Sequence, residues 1–182
     1  HHLGFAGSIT LRPSTLIVVI QDIVNSLLRH GFRRFYFLNG HGGNIATVQA
    51  AFAEVYAQSS LASTSADQAG LRLQLRNWWD AEGLVALGRE LFGDAEGSHA
   101  TCSEVSLTQY VWPESIKTAE MAPPIAPTGP IRDSADYRDR FPDGRIGSNP
   151  SLASPEAGRK LFDTALAGLE KDYRAFASAS DT

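Results

Sequence analysis

The chain has 182 residues and a formal net charge of −4, which results from 16 Lys and Arg against 20 Asp and Glu. Its composition, 43% hydrophobic and 20% charged, excludes disordered, collagen-like and highly charged chains. The weak negative charge argues against a nucleic-acid partner, and no apolar run approaches the roughly 20 residues of a membrane helix. With one cysteine and no signal-peptide pattern, we expect a single cytoplasmic domain over residues 1–182.

Apolar spacing predicts a strand, a helix and a second strand in the first quarter of the chain. The first strand is expected at residues 8–11, and the helix at residues 15–30 with Gly31 as its stop signal. Residues 35–38 form a continuous apolar run that is rich in aromatic side chains. Such a run is typical of a strand that is covered on both faces near the centre of a parallel sheet.

The next stretch continues the alternation of strands and helices. Helical spacing extends toward Gln58, the polar residues 59–70 predict a loop, and residues 71–79 alternate as a strand does. Strands that alternate with helices indicate an α/β fold with a mostly parallel sheet.

The second half of the chain is predicted to be mainly helical. Helices are expected at residues 81–92, 102–111 and 154–176. Residues 122–151 are rich in proline, glycine and charge and lack a convincing periodicity. A long loop in a compact domain usually has a function, so we expect a partner contact or a lid there.

The loop Asn-Gly-His-Gly-Gly-Asn at positions 39–44 follows the apolar strand. Ligands of open α/β sheets bind at this carboxyl end of the strands, and the glycines beside His41 permit a close approach of the backbone. A simple strand-to-helix turn is the structural alternative. Phosphate binding is disfavoured, because no Lys-Ser/Thr pair follows the loop and the Gly-x-Gly-x-x-Gly spacing is absent.

A second candidate site lies at residues 97–104, where His99 precedes a predicted helix that carries Glu104 in its first turn. Imidazole and carboxylate groups together bind zinc, manganese or iron. Thr101 and Glu104 also have the spacing of a helix-capping box, which needs no metal. A nucleophilic role for Cys102 beside His99 is a further alternative.

Four stretches in the correct order resemble the creatininase family, the metal-dependent creatinine amidohydrolases and their relatives. Residues 5–11 resemble its Phe-Pro-Gly-Thr-Ile-Ser-Leu segment, and residues 28–44 its strand that ends in Asn-Gly-His-Gly-Gly-Asn. Residues 99–106 resemble its His-Ala-x-x-x-Glu-Thr-Ser motif, and residues 147–158 its closing segment of glycine, proline, alanine and serine.

The resemblance implies a three-layer α/β/α fold with a mostly parallel sheet. It also implies hydrolysis of a non-peptide or cyclic C–N bond of a small amide or formamide by a hydroxide bound to a divalent metal. Zinc is the expected metal, with manganese and iron as alternatives. The family resemblance further implies a homo-oligomer, commonly a hexamer.

The resemblance also assigns roles to individual residues of this chain. His41 and Glu104 correspond to metal ligands, and His99 to the catalytic histidine beside the metal-bound water and the substrate. The residues that would form the wall around the substrate are Gly42, Gly43 and Asn44.

Three departures from the family pattern bear on function. Val105 replaces a threonine, and Gly43 stands where creatinine hydrolases have glutamate, so creatinine is not the expected substrate. The family's further ligands, a Glu-x-His pair and an aspartate, belong to an N-terminal segment that we expect to be missing, and no Glu-x-His occurs here. The alternative hypothesis is therefore a non-catalytic binding or assembly subunit with an incomplete metal centre.

Overall fold

The computed structural model describes residues 1–61 and 69–179, and the chain divides into two compact units. The first unit comprises residues 1–10 and 81–168, and the second comprises residues 11–80 and 169–182. The expected single domain stays a prediction. No helix in the described part of the chain is long and apolar enough to cross a membrane.

Among the described residues of 11–80, which belong to the second unit, two helices and two strands alternate along the chain. Their bounds are Pro13–Arg29 for α1, Arg34–Asn39 for β1, Ile45–Leu61 for α2 and Arg72–Asn77 for β2. The strands pair in parallel, with Phe35 opposite Leu73 and Asn39 opposite Asn77. The parallel pairing therefore brings the carboxyl ends of both strands to one edge of the sheet.

Alternation along the strands separates an apolar face of this sheet from a more polar one. Phe35, Phe37, Leu73 and Leu75 pack with apolar side chains of α1 and α2. On the opposite face, Tyr36 contacts the part of the chain beyond residue 168, which ends helix α6 (Pro155–Ser178). The second unit thus has helices on both faces of a parallel sheet, which confirms the predicted α/β/α layering.

The first unit is built mainly from helices and the loops between them. Its helices are α3 (Leu84–Phe92), α4 (Cys102–Val111), α5 (Ser134–Arg140) and the first part of α6. A small apolar core forms around Tyr137, Phe141 and Ile146, against which Phe5 and Ile131 pack.

Several predicted boundaries are confirmed, and others are wrong. The helix α4 begins and ends where the sequence predicts, and Gly31 follows α1 with a φ of 89°. Residues 8–11 are not a strand, because Ile9 is 96% exposed and no strand pairs with this segment in the part of the chain that the structure describes. The predicted loop at 59–70 is wrong at its start, because α2 extends to Leu61, and residues 62–68 lie outside the described residues.

Two further expectations need correction. Among the described residues the sheet has two strands, so β1 has one neighbour and is not central, and Leu38 at its end is 59% exposed. The segment 122–151 contains the short helix α5, whose N-cap Asp133 accepts hydrogen bonds from two backbone N–H groups. Only Tyr137 of α5 is buried, so the helix lacks the apolar stripe by which a helix is predicted.

Candidate functional site

Asn39 organises the loop at the carboxyl end of β1. Its side chain is buried, and its Oδ1 accepts hydrogen bonds from the backbone N–H of His41 (3.2 Å) and from Asn44 Nδ2 (3.3 Å). Its Nδ2 donates to the His41 carbonyl and to Asn77 Oδ1, each at 2.8 Å. An amide side chain has two donors and two lone pairs, so Asn39 uses its full capacity to hold the loop.

The imidazole of His41 lies against Gly43 within this loop. A Cβ atom at position 43 would stand 2.5 Å from His41 Nε2, which is closer than such contacts occur. Glycine is therefore required for the imidazole to take this position. Residues Gly42–Asn44 form a single 3₁₀ turn that leads directly into α2, and His41 itself is half-buried.

The end of β2 supplies polar groups to the same edge of the sheet. Asn77 accepts the hydrogen bond from Asn39, and its Nδ2 donates to Asp80 Oδ2 at 2.7 Å. The sequence did not predict a role for the side chains of Asn39 and Asn77. The available signal was an asparagine near the carboxyl end of each predicted strand, since parallel strands bring such residues to one edge of the sheet.

In the other unit, Thr101 and Glu104 form the capping box that the sequence predicts at the start of α4. The backbone N–H of Glu104 donates to Thr101 Oγ1, and the N–H of Thr101 donates to Glu104 Oε2, both at 3.0 Å. A second carboxylate, Glu96, accepts from the backbone N–H of Ser103 at 3.2 Å. Burial raises the pKa of Glu96, and the nearby charge of Glu104 adds to that rise.

His99 precedes α4 and is held through both its backbone and its ring. Its backbone pairs with Ile146 as an isolated antiparallel bridge, and its Nδ1 lies 2.8 Å from the hydroxyl of Tyr137. The ring of His2 stacks on His99 with centroids 4.9 Å apart. The geometry thus fixes the His99 ring in one orientation within the first unit.

The cysteine alternative is not supported by the structure. Cys102 is fully buried, and its sulfur lies 3.1 Å from each of the carbonyl oxygens of Ala95 and Asn149. Burial raises the pKa of the Cys102 thiol to about 11, so the nucleophilic thiolate is disfavoured at neutral pH.

The candidate residues are distributed over both units. His99 and Glu104 belong to the first unit, in the loop before α4 and in its first turn. His41 belongs to the second unit, as do the three residues that follow it, which are Gly42, Gly43 and Asn44.

Comparison with known proteins supports one family. The family model described as Creatininase, creatinine amidohydrolase, matches residues 1–172. The mycofactocin precursor peptide peptidase of Mycobacterium ulcerans (strain Agy99) is 26% identical over 165 residues, which are 88% of this chain and 56% of that protein. The creatinine amidohydrolase of Pseudomonas putida is 24% identical over 178 residues, which are 93% of this chain and 66% of that protein. The chain therefore spans less than two thirds of the length of these relatives.

Solved structures agree on the fold. A mutant creatininase in which phenylalanine replaces tryptophan superposes with a TM-score of 0.74 at 24% identity, over 93% of this chain and 66% of that one. Two further solved creatininases, at TM-scores of 0.72, are described as of Zn-Zn type and as a Mn form.

Proposed function

The chain belongs to the creatininase family of metal-dependent amidohydrolases, and we propose that the full-length protein hydrolyses a C–N bond of a small amide with the help of a divalent metal. The observation that carries the proposal is the loop at 39–44, which Asn39 fixes at the carboxyl edge of a parallel sheet with His41 against Gly43. Glycine at position 43 argues against creatinine as the substrate. A formamide, a related cyclic amide or a peptide-derived amide is the proposed substrate class, and one relative is itself named a peptide peptidase.

His41 and Glu104 are the proposed ligands, and the geometry around each is compatible with a metal. A Cβ at position 43 would stand 2.5 Å from His41 Nε2, so glycine is what allows the imidazole to hold its position in the loop. Glu104 uses one lone pair in its capping box, while a carboxylate offers about four. An imidazole and a carboxylate suit zinc first, with manganese or iron as alternatives.

A divalent metal in such a site lowers the pKa of water toward neutrality and polarises a carbonyl oxygen. The residues of this chain would supply the remaining functions. His99 would stabilise the negative charge that develops on the carbonyl oxygen, or carry a proton to the leaving nitrogen. The exposed Gly42 and Gly43 and the half-buried Asn44 would line the substrate.

The proposal is tested by hydrolysis assays on the full-length protein with formamides, cyclic amides and short peptides. We expect release of amine from at least one class, and we expect the His99→Ala variant to lose this activity while it keeps its metal. Activity at the wild-type level in His99→Ala would contradict the role of His99. A folded protein with neither metal nor hydrolysis would instead support the binding or assembly subunit.

A further inference from the structure

The segment 141–149 holds His99 on its backbone. The N–H of Ile146 donates to the His99 carbonyl at 3.2 Å, and the N–H of His99 donates to the Ile146 carbonyl at 3.4 Å. The hydroxyl of Ser148 donates to the same His99 carbonyl at 2.8 Å. We call Tyr137 and residues 144–148 the His99 clamp, since every residue in this set is buried and the set contacts both the backbone and the ring of His99.

Arg145 holds the His99 clamp in place through hydrogen bonds. It is only 3% exposed, and its guanidinium donates to the carbonyls of Pro123, Pro124 and Ser148 at 3.0, 2.8 and 3.2 Å. Its Nε donates to Asp143 Oδ2 at 2.8 Å. A buried cation with this many partners makes displacement of the segment costly, so residues 144–148 are a fixed support.

The hydroxyl of Tyr137 connects the clamp to the His99 ring. It lies 2.7 Å from the carbonyl oxygen of Gly144 and 2.8 Å from His99 Nδ1. A carbonyl oxygen can only accept, so the single hydroxyl proton of Tyr137 lies toward Gly144. Burial raises the pKa of Tyr137 to about 12, so the hydroxyl keeps that proton at neutral pH.

The remaining contact fixes the proton on His99. The Tyr137 hydroxyl donates its proton to the Gly144 carbonyl, so its oxygen accepts a hydrogen bond from His99 Nδ1. His99 Nδ1 must therefore carry the ring proton. In neutral imidazole a proton on Nδ1 leaves the lone pair on Nε2. Face-to-face stacking of His2 and edge contact of Tyr137, with centroids 5.4 Å apart, hold the ring in this orientation.

We propose that Tyr137 is a positioning residue that fixes His99 as its Nδ1–H tautomer, so that Nε2 is the atom that exchanges protons with the substrate. The inference rests on the catalytic role proposed for His99. It also gives part of the segment 122–151 a definite task, which is the support of a catalytic side chain.

The direct test is ¹⁵N NMR of histidine-labelled full-length protein, freed of metal and measured at a pH at which imidazole is neutral. We expect the signals of His99, identified by their loss in His99→Ala, to show a protonated Nδ1 and an unprotonated Nε2. In Tyr137→Phe the ring keeps its surroundings but loses its acceptor. We therefore expect the Nδ1–H pattern to be lost in that variant.

Ser148→Ala is the matched control, since it removes a hydrogen bond to the His99 backbone and leaves the ring contact in place. It should retain the Nδ1–H pattern. An Nε2–H pattern in the wild type, or an unchanged pattern in Tyr137→Phe, would overturn the inference. If Tyr137→Phe does not fold, the protonation pattern of His99 in the wild type is by itself the test of the inference. No substrate is needed, so failure here is distinct from failure of the hydrolysis assay.

Discussion

Glu104 forms a helix cap in the structure, and we propose that it also binds the metal. One oxygen closes the capping box with the backbone N–H of Thr101, and the carboxylate retains lone pairs for a metal. The two tasks require different properties, because capping needs an acceptor oxygen whereas ligation also benefits from negative charge. A substitution that preserves the acceptor and removes the charge therefore separates them.

Glu104→Gln in the full-length protein should lower metal affinity more than tenfold, which corresponds to about 1.4 kcal/mol. The melting temperature of the metal-free form should change little, because glutamine also serves in a capping box. Thr101→Ala is the complementary variant: it should cost about 1 kcal/mol of stability and leave metal affinity in place, since the backbone N–H still orients the carboxylate. Equal metal affinity in wild type and Glu104→Gln would reduce Glu104 to a helix cap.

Gly43 is predicted to be sensitive to the addition of one methyl group. The Cβ of Gly43→Ala would stand 2.5 Å from His41 Nε2, and the imidazole, as the more mobile group, should turn away. We expect metal affinity to fall more than tenfold while stability changes little. Gly40→Ala adds the same atom in the same loop with nothing within 4 Å, so its metal affinity should match that of wild type. Isothermal titration with zinc measures the metal affinity of both variants. Equal losses of affinity in Gly43→Ala and Gly40→Ala would refute the steric argument.

Individual site residues differed in how far the sequence could predict them. The capping box of Thr101 and Glu104 depends on a spacing of three residues, so the sequence alone predicts it. The pairing of Asn39 with Asn77 spans 38 residues and requires the register of a sheet. Tyr137 lies in a segment without periodicity, and only the fold brings it to His99.

At the scale of elements, Asp172 joins the end of α6 to the polar face of the sheet. Its carboxylate accepts hydrogen bonds from the Tyr36 hydroxyl, the Gln74 amide and the Arg76 guanidinium. Burial alone would raise the pKa of Asp172, but the hydrogen bonds from Arg76 and Tyr36 and the charge of Arg76 outweigh it and hold the pKa below its ordinary value. The same network raises the pKa of Tyr36 to about 12, mainly through burial and its bond to Asp172.

A carboxylate whose pKa is lower in the folded than in the unfolded chain adds stability above its unfolded pKa. That contribution disappears as the pH falls through the folded pKa. Asp172→Asn should therefore cost about 1 to 2 kcal/mol at neutral pH, allowing for solvent screening of side chains that are 26% and 35% exposed. The difference in the free energy of unfolding between wild type and Asp172→Asn should become smaller below about pH 4. Urea unfolding at a series of pH values measures the free energy of unfolding of both proteins.

Asp163→Asn provides the control on the same helix. Asp163 pairs with Arg159 at 3.3 Å, but both side chains are more than half exposed, so its loss should cost under about 0.5 kcal/mol. A cost for Asp172→Asn that is equally small at neutral pH, or that grows in acid, would contradict the role given to this network.

The elements themselves were predictable where packing leaves a pattern in the sequence. The helix α1 buries Ile20, Val24 and Leu28 on one stripe, and β2 directs alternate leucines to the core, so periodicity identifies both. The helix α5 buries one side chain and starts at a cap, and the expected strand at residues 8–11 has the right composition but no pairing partner among the residues described. Strand pairing and the burial of a single side chain depend on contacts between distant residues, which a local sequence pattern does not contain.

At the scale of the whole molecule, we propose that the full-length protein assembles as a homo-oligomer, with a hexamer as the expected form. Apolar side chains on α1 support a contact surface, because Val18, Val19 and Ile23 are 52%, 40% and 49% exposed. Sedimentation velocity at micromolar concentration should give one species several times the mass of the chain. A single monomeric species across that range would contradict the proposal.

We propose above all that hydrolysis depends on a divalent metal that His41 and Glu104 help to hold. The most direct measurement determines metal per chain and amide hydrolysis in the same full-length samples, before chelation, after chelation and after addition of zinc or manganese, for wild type and His41→Ala. Wild type should lose hydrolysis with its metal and regain it on addition, whereas His41→Ala should have little of either at any stage. Hydrolysis that survives complete removal of metal, or metal content that is unchanged in His41→Ala, would contradict this metal-dependent mechanism.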